Sequence, residues 1–506
     1  MLLADLVATS DAVAGTPGRR RKVELLAGCL RRMDADEVAA GASYLSGTPR
    51  QERLDTGWAT LAATAPPAAA EASLILGDVD RALEELAGLH GPGSRAARQM
   101  LLARLFAAAT AAEQRFLRGL LVGDLRQGAL GGLAAQAIAL AWDVPEADVR
   151  RALMLHGEKG AVATAAALGG GAALRAFRLT LFRPVGPMLA RTATSVADAV
   201  RDLPRAAVEF KLDGARIQVH RDGELVRVYT RNLRDVTARS PEVVAVAAAL
   251  PVATAVLDGE VIGLRSDARP QPFQDTMRRF STEAAAARSA AGQALTPFFF
   301  DCLQLDGEDL LDRPLEERVA ALERVVPAAH RIPRRVVAGA EDAQRAYAEA
   351  LGQGHEGVMV KALDAPYEAG RRGASWRKVK PAHTLDLVVL AVEWGSGRRR
   401  GWLSNLHLGA RDPATGGFVM LGKTFKGMTD EMLAWQTERL LELETGRDGH
   451  VVTVRPELVV EVAFDGVQTS PRYPGGVALR FARVKRYRDD KTAVDADTID
   501  TVRALR

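Results

Sequence analysis

The pattern of apolar and polar residues changes twice along the 506-residue chain. Up to about residue 180, apolar residues recur every three or four positions, as in residues 94–126, and this spacing predicts amphipathic helices. From about residue 205, apolar and polar residues alternate around Asp-Gly pairs at 213 and 222, which indicates strands joined by hairpin turns. Strand-like and helix-like segments then alternate to about residue 382, and short strand-like segments follow. The pattern therefore predicts an all-α region, a mixed α and β region, and a small all-β barrel.

Within this outline, single segments carry the signal of one type of element. A glycine run at 169–171 interrupts the helical pattern, and residues 182–190, which contain Pro184 and Pro187, indicate a linker. Other helices are predicted at 60–75, 240–250, 281–295, 314–326 and 341–351. Strands are predicted at 255–264, 297–305, 356–363, 386–395, 405–411, 418–425 and 457–467.

The composition indicates a soluble globular protein in a reducing compartment. Hydrophobic residues make up 48% of the chain and charged residues 26%, which is sufficient for a large core. The net charge of +4 permits a polyanionic partner without selecting one. Cys29 and Cys302 are the two cysteines, too few for a disulfide framework or a four-cysteine zinc site. Because we find neither a signal segment nor an apolar run of membrane-spanning length, we expect a cytoplasmic protein without membrane contact.

Lysine is rare in this chain, which makes the position of each lysine informative. Ten of the 67 basic residues are lysines, and eight of them follow residue 205. Lysine can lose its proton and act as a nucleophilic amine, whereas the guanidinium group of arginine stays protonated. A single lysine such as Lys211, two residues before an Asp-Gly pair, is equally compatible with a surface position. Several lysines in strand-like or glycine-flanked segments together favour a site.

A nucleophilic lysine needs neighbouring cations or burial to lower its pKa, and a phosphate substrate with a divalent metal ion needs carboxylates. We expect Arg216 to return beside Lys211 across the Asp-Gly turn, and later strands to bring further cations to the same end of the sheet. The candidate groups are the cations Lys361, Lys378 and Lys380 and the acids Glu209, Asp258, Glu260 and Glu356.

Residues 211–216 (KLDGAR) resemble the nucleotidyl-transfer motif K-x-D-G-x-R of ATP-dependent DNA ligases and of their relatives, the RNA ligases and mRNA capping enzymes. That motif alone is moderately specific, but five further motifs of the family follow in the expected order. They are similar to residues 230–232 (TRN), 257–260 (LDGE), 298–303 (FFFDCL), 356–361 (EGVMVK) and 376–380 (WRKVK).

The resemblance extends over nearly the whole chain. Residues 478–491 resemble motif VI of DNA ligases, although Ala482 stands where the family usually has proline, a departure that concerns loop rigidity. Residues 116–133 and 184–190 resemble the DNA-binding domain of cellular and archaeal-type ligases. The resemblance implies three domains. They are an all-α DNA-binding domain (1–183), an α+β nucleotidyltransferase or adenylation domain (184–382) and an all-β OB-fold barrel (383–506).

The resemblance also implies a reaction. Lys211 takes AMP from ATP with release of pyrophosphate, the AMP passes to the 5′-phosphate of a nick, and the 3′-hydroxyl then displaces it. Such in-line displacements depend on positioning and on neutralising phosphate oxygens. ATP and Mg²⁺ are the implied cofactors. The ATP- or AMP-binding residues implied are Glu209 and Phe300 for adenine, Arg216, Arg231 and Glu260 for ribose, phosphate or metal, Arg372, and Lys378 and Lys380 for the α-phosphate. The metal ligands implied are Glu260 and Glu356, and the motif VI residues are Arg483, Lys485, Arg488, Asp490 and Lys491.

Other interpretations have specific weaknesses. Residues 417–424 fit a P-loop pattern, but an apolar strand-like run fills it where a phosphate-binding loop is expected. An RNA ligase or capping enzyme shares the lysine motif but not the long helical region. An NAD-dependent ligase needs a four-cysteine zinc site. A non-enzymatic DNA-binding protein remains an alternative that labelling with ATP would exclude.

The implied partner is nicked double-stranded DNA, which we expect a monomer to encircle or clamp through phosphate contacts. Residues 395–402 (GSGRRRGW) form a candidate basic patch, equally compatible with a solvated turn. We expect the barrel to swing about a linker near residues 380–385. For the cell, the resemblance implies a nucleoid-associated cytoplasmic enzyme of DNA replication, repair or recombination.

Overall fold

The chain begins with a bundle of helices. The computed structural model describes residues 1–51, 54, 56–125, 131–203, 205–278, 295–368, 372–381 and 383–505. Ten helices of the first region lie in these ranges: α1 (Leu3–Ala14), α2 (Arg19–Leu30), α3 (Val38–Leu45), α4 (Trp58–Ala63), α5 (Leu76–Gly88), α6 (Ser94–Ala107), α7 (Ala111–Val122), α8 (Gly131–Trp142), α9 (Glu146–His156) and α10 (Lys159–Arg175).

Local sequence signals explain where these helices begin and end. Helix α7 begins with a capping box, in which Thr110 and Glu113 bond each other's backbone N–H groups, and it ends at Gly123 with φ +70°. Helix α10 is kinked at Gly170, whose φ of +55° is not helical, as the predicted interruption at 169–171 requires. Leucine and alanine side chains fill one continuous core between the helices.

The middle region contains two sheets with helices around them. Its strands are β1 (Leu189–Thr192), β2 (Ala206–Lys211), β3 (Ala215–Asp222), β4 (Leu225–Thr230), β5 (Thr254–Gly263), β6 (Leu295–Leu305), β7 (Glu308–Asp309), β8 (Arg334–Val337), β9 (Gly357–Ala362) and β10 (Arg372–Val379). Its helices are α11 (Val196–Val200), α12 (Pro241–Ala248), α13 (Phe273–Arg278), α14 (Leu315–Val325) and α15 (Ala340–Gly352).

The Asp-Gly pair at 213 connects the two sheets. The first sheet has the strand order β1-β10-β9-β2-β8, and the second has the order β4-β3-β5-β6-β7. Since β2 and β3 belong to different sheets, the predicted hairpin across Asp213 is wrong, whereas the one at Asp222 is present between β3 and β4. A Cβ atom on Gly214 would lie 2.2 Å from the carbonyl oxygen of Val261, so this crossing has no room for a side chain.

The last region is a β-barrel with two helices. Its strands are β11 (His383–Trp394), β12 (Leu403–Arg411), β13 (Phe418–Thr424), β14 (Glu444–Asp448), β15 (Val451–Val454), β16 (Val459–Phe464), β17 (Gly466–Thr469), β18 (Val477–Arg480) and β19 (Arg483–Tyr487). Its helices are α16 (Asp430–Glu442) and α17 (Ile499–Ala504). The long β11 pairs with β12, β15 and β16, and this pairing wraps the sheet around an apolar core.

The predicted order of a helical, a mixed and an all-β region is confirmed. The predicted helix at 60–75 is wrong beyond Ala63, since residues 64–75 are not helical. The helix predicted at 281–295 lies outside the described residues up to 294. Residues 418–424 form strand β13, so the P-loop pattern is not a phosphate-binding loop. No helix in the described ranges has the length and apolar character that a membrane span requires.

A buried ion pair gives a test of this fold. Arg318 of α14 and Asp301 of β6 are fully buried and joined by two hydrogen bonds of 2.7 and 3.0 Å. We expect Arg318→Leu to lower the free energy of unfolding by about 3–5 kcal/mol, because it leaves a buried carboxylate unpaired. Arg313→Leu is the control, since it removes two exposed ion pairs, with Glu308 and Glu317, and is expected to cost about 1 kcal/mol or less. Equal shifts in the urea midpoints of the two variants would contradict this account.

Candidate active site

Strand pairing brings Lys211 next to Glu356. Lys211 ends β2, and its backbone lies opposite Gly357, the first residue of β9. The N–H of Glu356 donates to the carbonyl oxygen of Lys211 at 3.1 Å, and the Lys211 ammonium group donates to the Glu356 carboxylate. The two side chains are 21% and 15% exposed, respectively. Two motifs that are 145 residues apart in the sequence thus form one partly buried ion pair.

Two more lysines lie at this pair. Lys380 Nζ donates to Glu356 Oε1 at 2.5 Å. Burial raises the pKa of Glu356, but Lys211 and Lys380 lower it by more, so the pKa lies below its ordinary value. Burial, followed by the positive charges of Lys380 and Lys211, lowers the pKa of Lys378. In the described part of the chain Lys378 forms no ion pair, which leaves its amine available to a ligand.

The next wall of the site is built by β3 and β5. Arg216 and Glu260 are paired across these strands. Arg216 donates to both oxygens of buried Asp258, at 3.1 and 2.7 Å, and the hydroxyl of Tyr367 donates to Asp258 Oδ2 at 2.6 Å. Glu260 has no ion pair among the described residues. Burial raises the pKa of Glu260 to about 7, although Lys211 and Arg216 act in the opposite direction.

Behind the lysines lies a buried cluster of aromatic and charged side chains. The Nζ atom of Lys361 lies 4.3 Å from the ring centre of Phe300 and 4.1 Å from that of Trp376. Glu209 pairs through Oε2 with Lys361 at 2.5 Å and through Oε1 with Arg334 at 2.6 Å. Sequence reasoning placed Lys361 near the phosphates, but the structure places it against the aromatic rings and Glu209.

The barrel meets the middle region at the active site, and this contact surface is called the seam below. Arg480 of β18 forms two hydrogen bonds with Asp213, at 2.6 and 3.3 Å. Asp465, which follows β16, accepts a hydrogen bond of 2.6 Å from Lys380. Neither barrel residue was among the site residues predicted from the sequence. The position of Arg480, first in the R-F-A-R segment of motif VI, was the available signal.

The remaining predicted residues lie in different places. Arg231 is exposed in the turn after β4. Arg372 begins β10, but its side chain lies outside the described residues. Arg483 reaches the seam through Asp465, at 3.3 Å, and Lys485 is exposed. The structure does not bring the last three motif VI residues to Lys211. Near the other end of β19, Arg488 and Lys491 pair with Asp386, and Asp490 pairs with Arg488.

The site offers few ligands for a metal ion. Glu260 and Glu356 both interact with the Lys211 ammonium group, so they face the same space. No group of three or more histidine, cysteine or acidic side chains suited to a metal ion occurs in the ranges described above. Mg²⁺ keeps several waters and binds through one or two carboxylates and substrate phosphates. Two carboxylates are therefore a suitable set.

A lysine amine beside two further lysines and two unlike carboxylates, with an aromatic cluster behind, suits the binding of a nucleotide and phosphoryl transfer to an amine. Fold and site thus define a nucleotidyltransferase class of enzyme. Three family models match the chain: "ATP dependent DNA ligase domain" at residues 187–380, "ATP dependent DNA ligase C terminal region" at 399–491, and "DNA ligase N terminus" at 58–139.

Similar proteins agree with these matches over the full length. The chain is 60% identical over 510 residues to a "Probable DNA ligase" of Anaeromyxobacter sp. (strain K), covering 100% of this chain and 99% of that protein. It is 59% identical over 509 residues to a "Probable DNA ligase" of Kineococcus radiotolerans, covering 100% of both. The solved structure named Pmar-Lig_Pre has a TM-score of 0.60 at 18% identity, covers 96% of this chain and 99% of its own, and supports the fold alone.

This chain belongs to the ATP-dependent DNA ligase family. It is an ATP-dependent ligase, and nick sealing is the function of the family. The resemblance that the motifs indicated is confirmed.

The raised pKa of Glu260 gives a stability test. The folded protein keeps a proton on Glu260 up to about pH 7, whereas the unfolded chain releases it near pH 4.5. The stabilisation is therefore full below pH 4.5 and is lost as the pH rises through 7. We expect the Tm of the metal-free protein to fall more steeply between these pH values than that of Glu260→Gln, by calorimetry in EDTA. Glu224→Gln, at an exposed turn, is the control; identical slopes in all three proteins would refute the assignment.

Proposed function

We propose that this enzyme seals nicks in duplex DNA and that Lys211 carries AMP between ATP and the DNA. The observation that carries the proposal is the setting of the Lys211 amine, which touches Glu356 and lies beside Lys378 and Lys380. An ion pair holds the amine in place, and the neighbouring cations are suited to phosphate oxygens. A surface lysine would need none of these neighbours.

In the first step, Nζ of Lys211 attacks the α-phosphorus of ATP. A nitrogen–phosphorus bond forms, the bond from that phosphorus to the bridging oxygen breaks, and pyrophosphate leaves with the electron pair. The ammonium group loses one proton before attack and a second as the bond forms, and solvent and pyrophosphate accept them. Lys378 and Lys380 neutralise the α-phosphate oxygens, which stabilises the charge that develops during transfer.

The next two steps use the DNA. An oxygen of the 5′-phosphate attacks the phosphorus of the lysyl-AMP, the nitrogen–phosphorus bond breaks, and the lysine takes up a proton. The 3′-hydroxyl then loses its proton and attacks the 5′-phosphate, and AMP leaves with the electron pair. Each step is a displacement in which the enzyme's contribution is alignment and charge neutralisation.

The adenine binds at the aromatic cluster, where Phe300 offers a ring face and Glu209 an acceptor for the exocyclic amine. Glu209 already pairs with two cations, but a carboxylate has about four acceptor positions. Arg216 and Glu260 face the ribose and phosphates from β3 and β5. Arg231 and Arg372 are the further basic residues proposed for this pocket.

Mg²⁺ is the metal ion that fits this site, with Glu260 and Glu356 as its protein ligands. When bound, it would neutralise phosphate charge. Both carboxylates must be ionised to act as ligands. Because the pKa of Glu260 is about 7, its proton must leave before this residue can bind a cation at neutral pH. Glu356, with a lowered pKa, is already ionised there.

The DNA partner is a nicked duplex that the three domains of a single chain clamp. Such binding relies on phosphate contacts, so we expect it to weaken with salt and to depend little on sequence. The barrel pairs with the middle region through Arg480 and Asp465, an arrangement suited to adenylation. We propose that the barrel swings about residues 380–385 before the DNA steps, in a cytoplasmic enzyme of DNA replication, repair or recombination.

The role of Lys211 as the nucleophile can be tested against Lys423, the lysine of the P-loop pattern at residues 417–424. Incubation with α-labelled ATP and Mg²⁺ is expected to label the parent and Lys423→Ala, and to leave Lys211→Ala and Lys211→Arg unlabelled, because neither alanine nor a permanently protonated guanidinium group can attack phosphorus. Peptide mapping locates the label. A labelled Lys211→Ala protein, or nick sealing by it from fresh ATP, would overturn the proposal.

The seam can be tested by comparing reaction steps. We expect Arg480→Ala to slow lysyl-AMP formation by about tenfold or more, because the closed arrangement loses its charge-assisted pair with Asp213. Sealing of pre-adenylated nicks should change by less than about threefold. The control is Arg486→Ala, which removes an arginine that pairs with Glu461 within the barrel. If Arg480→Ala slowed both reactions equally, the proposed division between the steps would fail.

A further inference from the structure

The linker between the helical domain and the nucleotidyltransferase domain is fastened along strand β3. Alternate side chains of β3 bond its backbone: Arg216 Nη1 donates to the carbonyl of Met188 at 2.6 Å, Gln218 bonds both the N–H and the carbonyl of Val185 at 2.8 and 3.2 Å, and His220 Nδ1 accepts from the N–H of Phe182 at 2.9 Å. Side chains here satisfy backbone groups that a sheet partner would otherwise satisfy. We call residues 182–188 the strap.

The strap runs antiparallel to β3. Its bonded residues are three positions apart, whereas the β3 residues that bond them are two positions apart. Two strand residues span about 6.6–6.8 Å, so the strap is less extended than a strand. Pro184 and Pro187 have no N–H group to donate, and they lie between the strap residues that bond the β3 side chains. The prolines that identified a linker in the sequence thus lie between the bonded residues.

Phe182 is held in an unfavourable conformation. Its φ of +64° is uncommon for a bulky residue and persists only where surrounding contacts impose it. Its N–H bonds His220, and its carbonyl accepts from the hydroxyl of Tyr229 at 2.9 Å. Burial lowers the pKa of His220 to about 4, so the ring is neutral near pH 7 and Nδ1 keeps the lone pair that this bond needs.

The strap also contacts both domains that it joins. The N–H of Gly186 donates to the carbonyl of Met154 in α9 at 3.4 Å, and Val185 and Met188 pack in one core with Met154 and Leu155. At its other end, the N–H of Met188 donates to the hydroxyl of Tyr367 at 3.1 Å. That hydroxyl donates to Asp258, the carboxylate that holds Arg216, so the strap ends at the wall of the active site.

We propose that Gln218 and His220 are positioning residues, which hold the strap on β3 and thereby fix the helical domain relative to Arg216 for the DNA-dependent steps. The inference rests on the proposed function insofar as the helical domain binds the nicked DNA. The first step needs no DNA and depends on Lys211, Lys378 and Lys380. The ATP-site residue Arg216 bonds the strap at Met188, whereas Gln218 and His220 bond it at Val185 and Phe182, toward the helical domain. Loosening the strap therefore separates the two halves of the reaction.

The test uses Gln218→Met and His220→Leu, which remove the strap bonds while retaining bulk. Chymotrypsin cleavage between Phe182 and Arg183 reports directly on whether the strap is released, because the N–H and the carbonyl of Phe182 are both bonded in the fastened strap. We expect both variants to be cut at least tenfold faster there and to show at least a tenfold lower kcat/KM for nicked DNA. Lysyl-AMP formation should stay within twofold of the parent.

Val219→Ala is the matched control. Its side chain is buried on the other face of β3, in the core of the second sheet, and does not touch the strap. It is expected to lower stability without making the Phe182–Arg183 bond more cleavable and without changing the ratio of sealing to adenylation. The inference is wrong if the two strap variants lose adenylation and sealing equally. It is also wrong if sealing stays within twofold of the parent after the strap is released, or if sealing is lost while the strap is still protected. An unlabelled Gln218→Met protein would also contradict the inference, whereas labelling of Lys211→Ala would overturn the proposed function instead.

Discussion

The site depends on one carboxylate that two ammonium groups share. Glu356 takes Lys211 on one oxygen and Lys380 on the other, and this pairing joins the ends of β2, β9 and β10. Without a negative charge at this point, the ammonium groups would repel each other in a poorly solvated space. The pairing of β2 with β9 brings Glu356 beside Lys211, because it fixes Gly357, the next residue, opposite Lys211. The backbone register thus determines the chemistry that the side chains can perform.

The two candidate metal ligands are in unlike electrostatic states in one pocket. Cations that bond Glu356 directly lower its pKa, whereas burial dominates at Glu260 and raises the pKa to about 7. The difference follows from hydrogen bonding, since Glu260 has charged neighbours but no ion pair within the described ranges. One carboxylate is therefore ionised at neutral pH, and the other can change its charge there.

Local patterns predicted much of the fold and less of the site. The period of apolar residues identified β5, β6, α14 and four of the barrel strands, β11, β12, β13 and β16, because burial of one face is a local property of a segment. It failed at Asp213, where an Asp-Gly pair indicates a hairpin, because the choice of sheet depends on distant partners of β2 and β3. Motif spacing identified Lys211 and Glu356. It did not identify Arg480 or Asp465, because pairing across domains leaves no periodic signal in the sequence. It also did not show that Lys361 lies against Phe300, Trp376 and Glu209, because the neighbours of a buried side chain depend on tertiary packing.

The seam between the barrel and the nucleotidyltransferase domain consists of ion pairs whose charges alternate in sign between the two domains. Each domain contributes one acid and one base: Asp213 and Lys380 on one side, Arg480 and Asp465 on the other. A barrel turned end for end would set Arg480 against Lys380 and Asp465 against Asp213, so that two repulsions replace two attractions. A uniformly basic barrel face could dock in several poses. The mixed signs therefore select one orientation of the barrel on the nucleotidyltransferase domain.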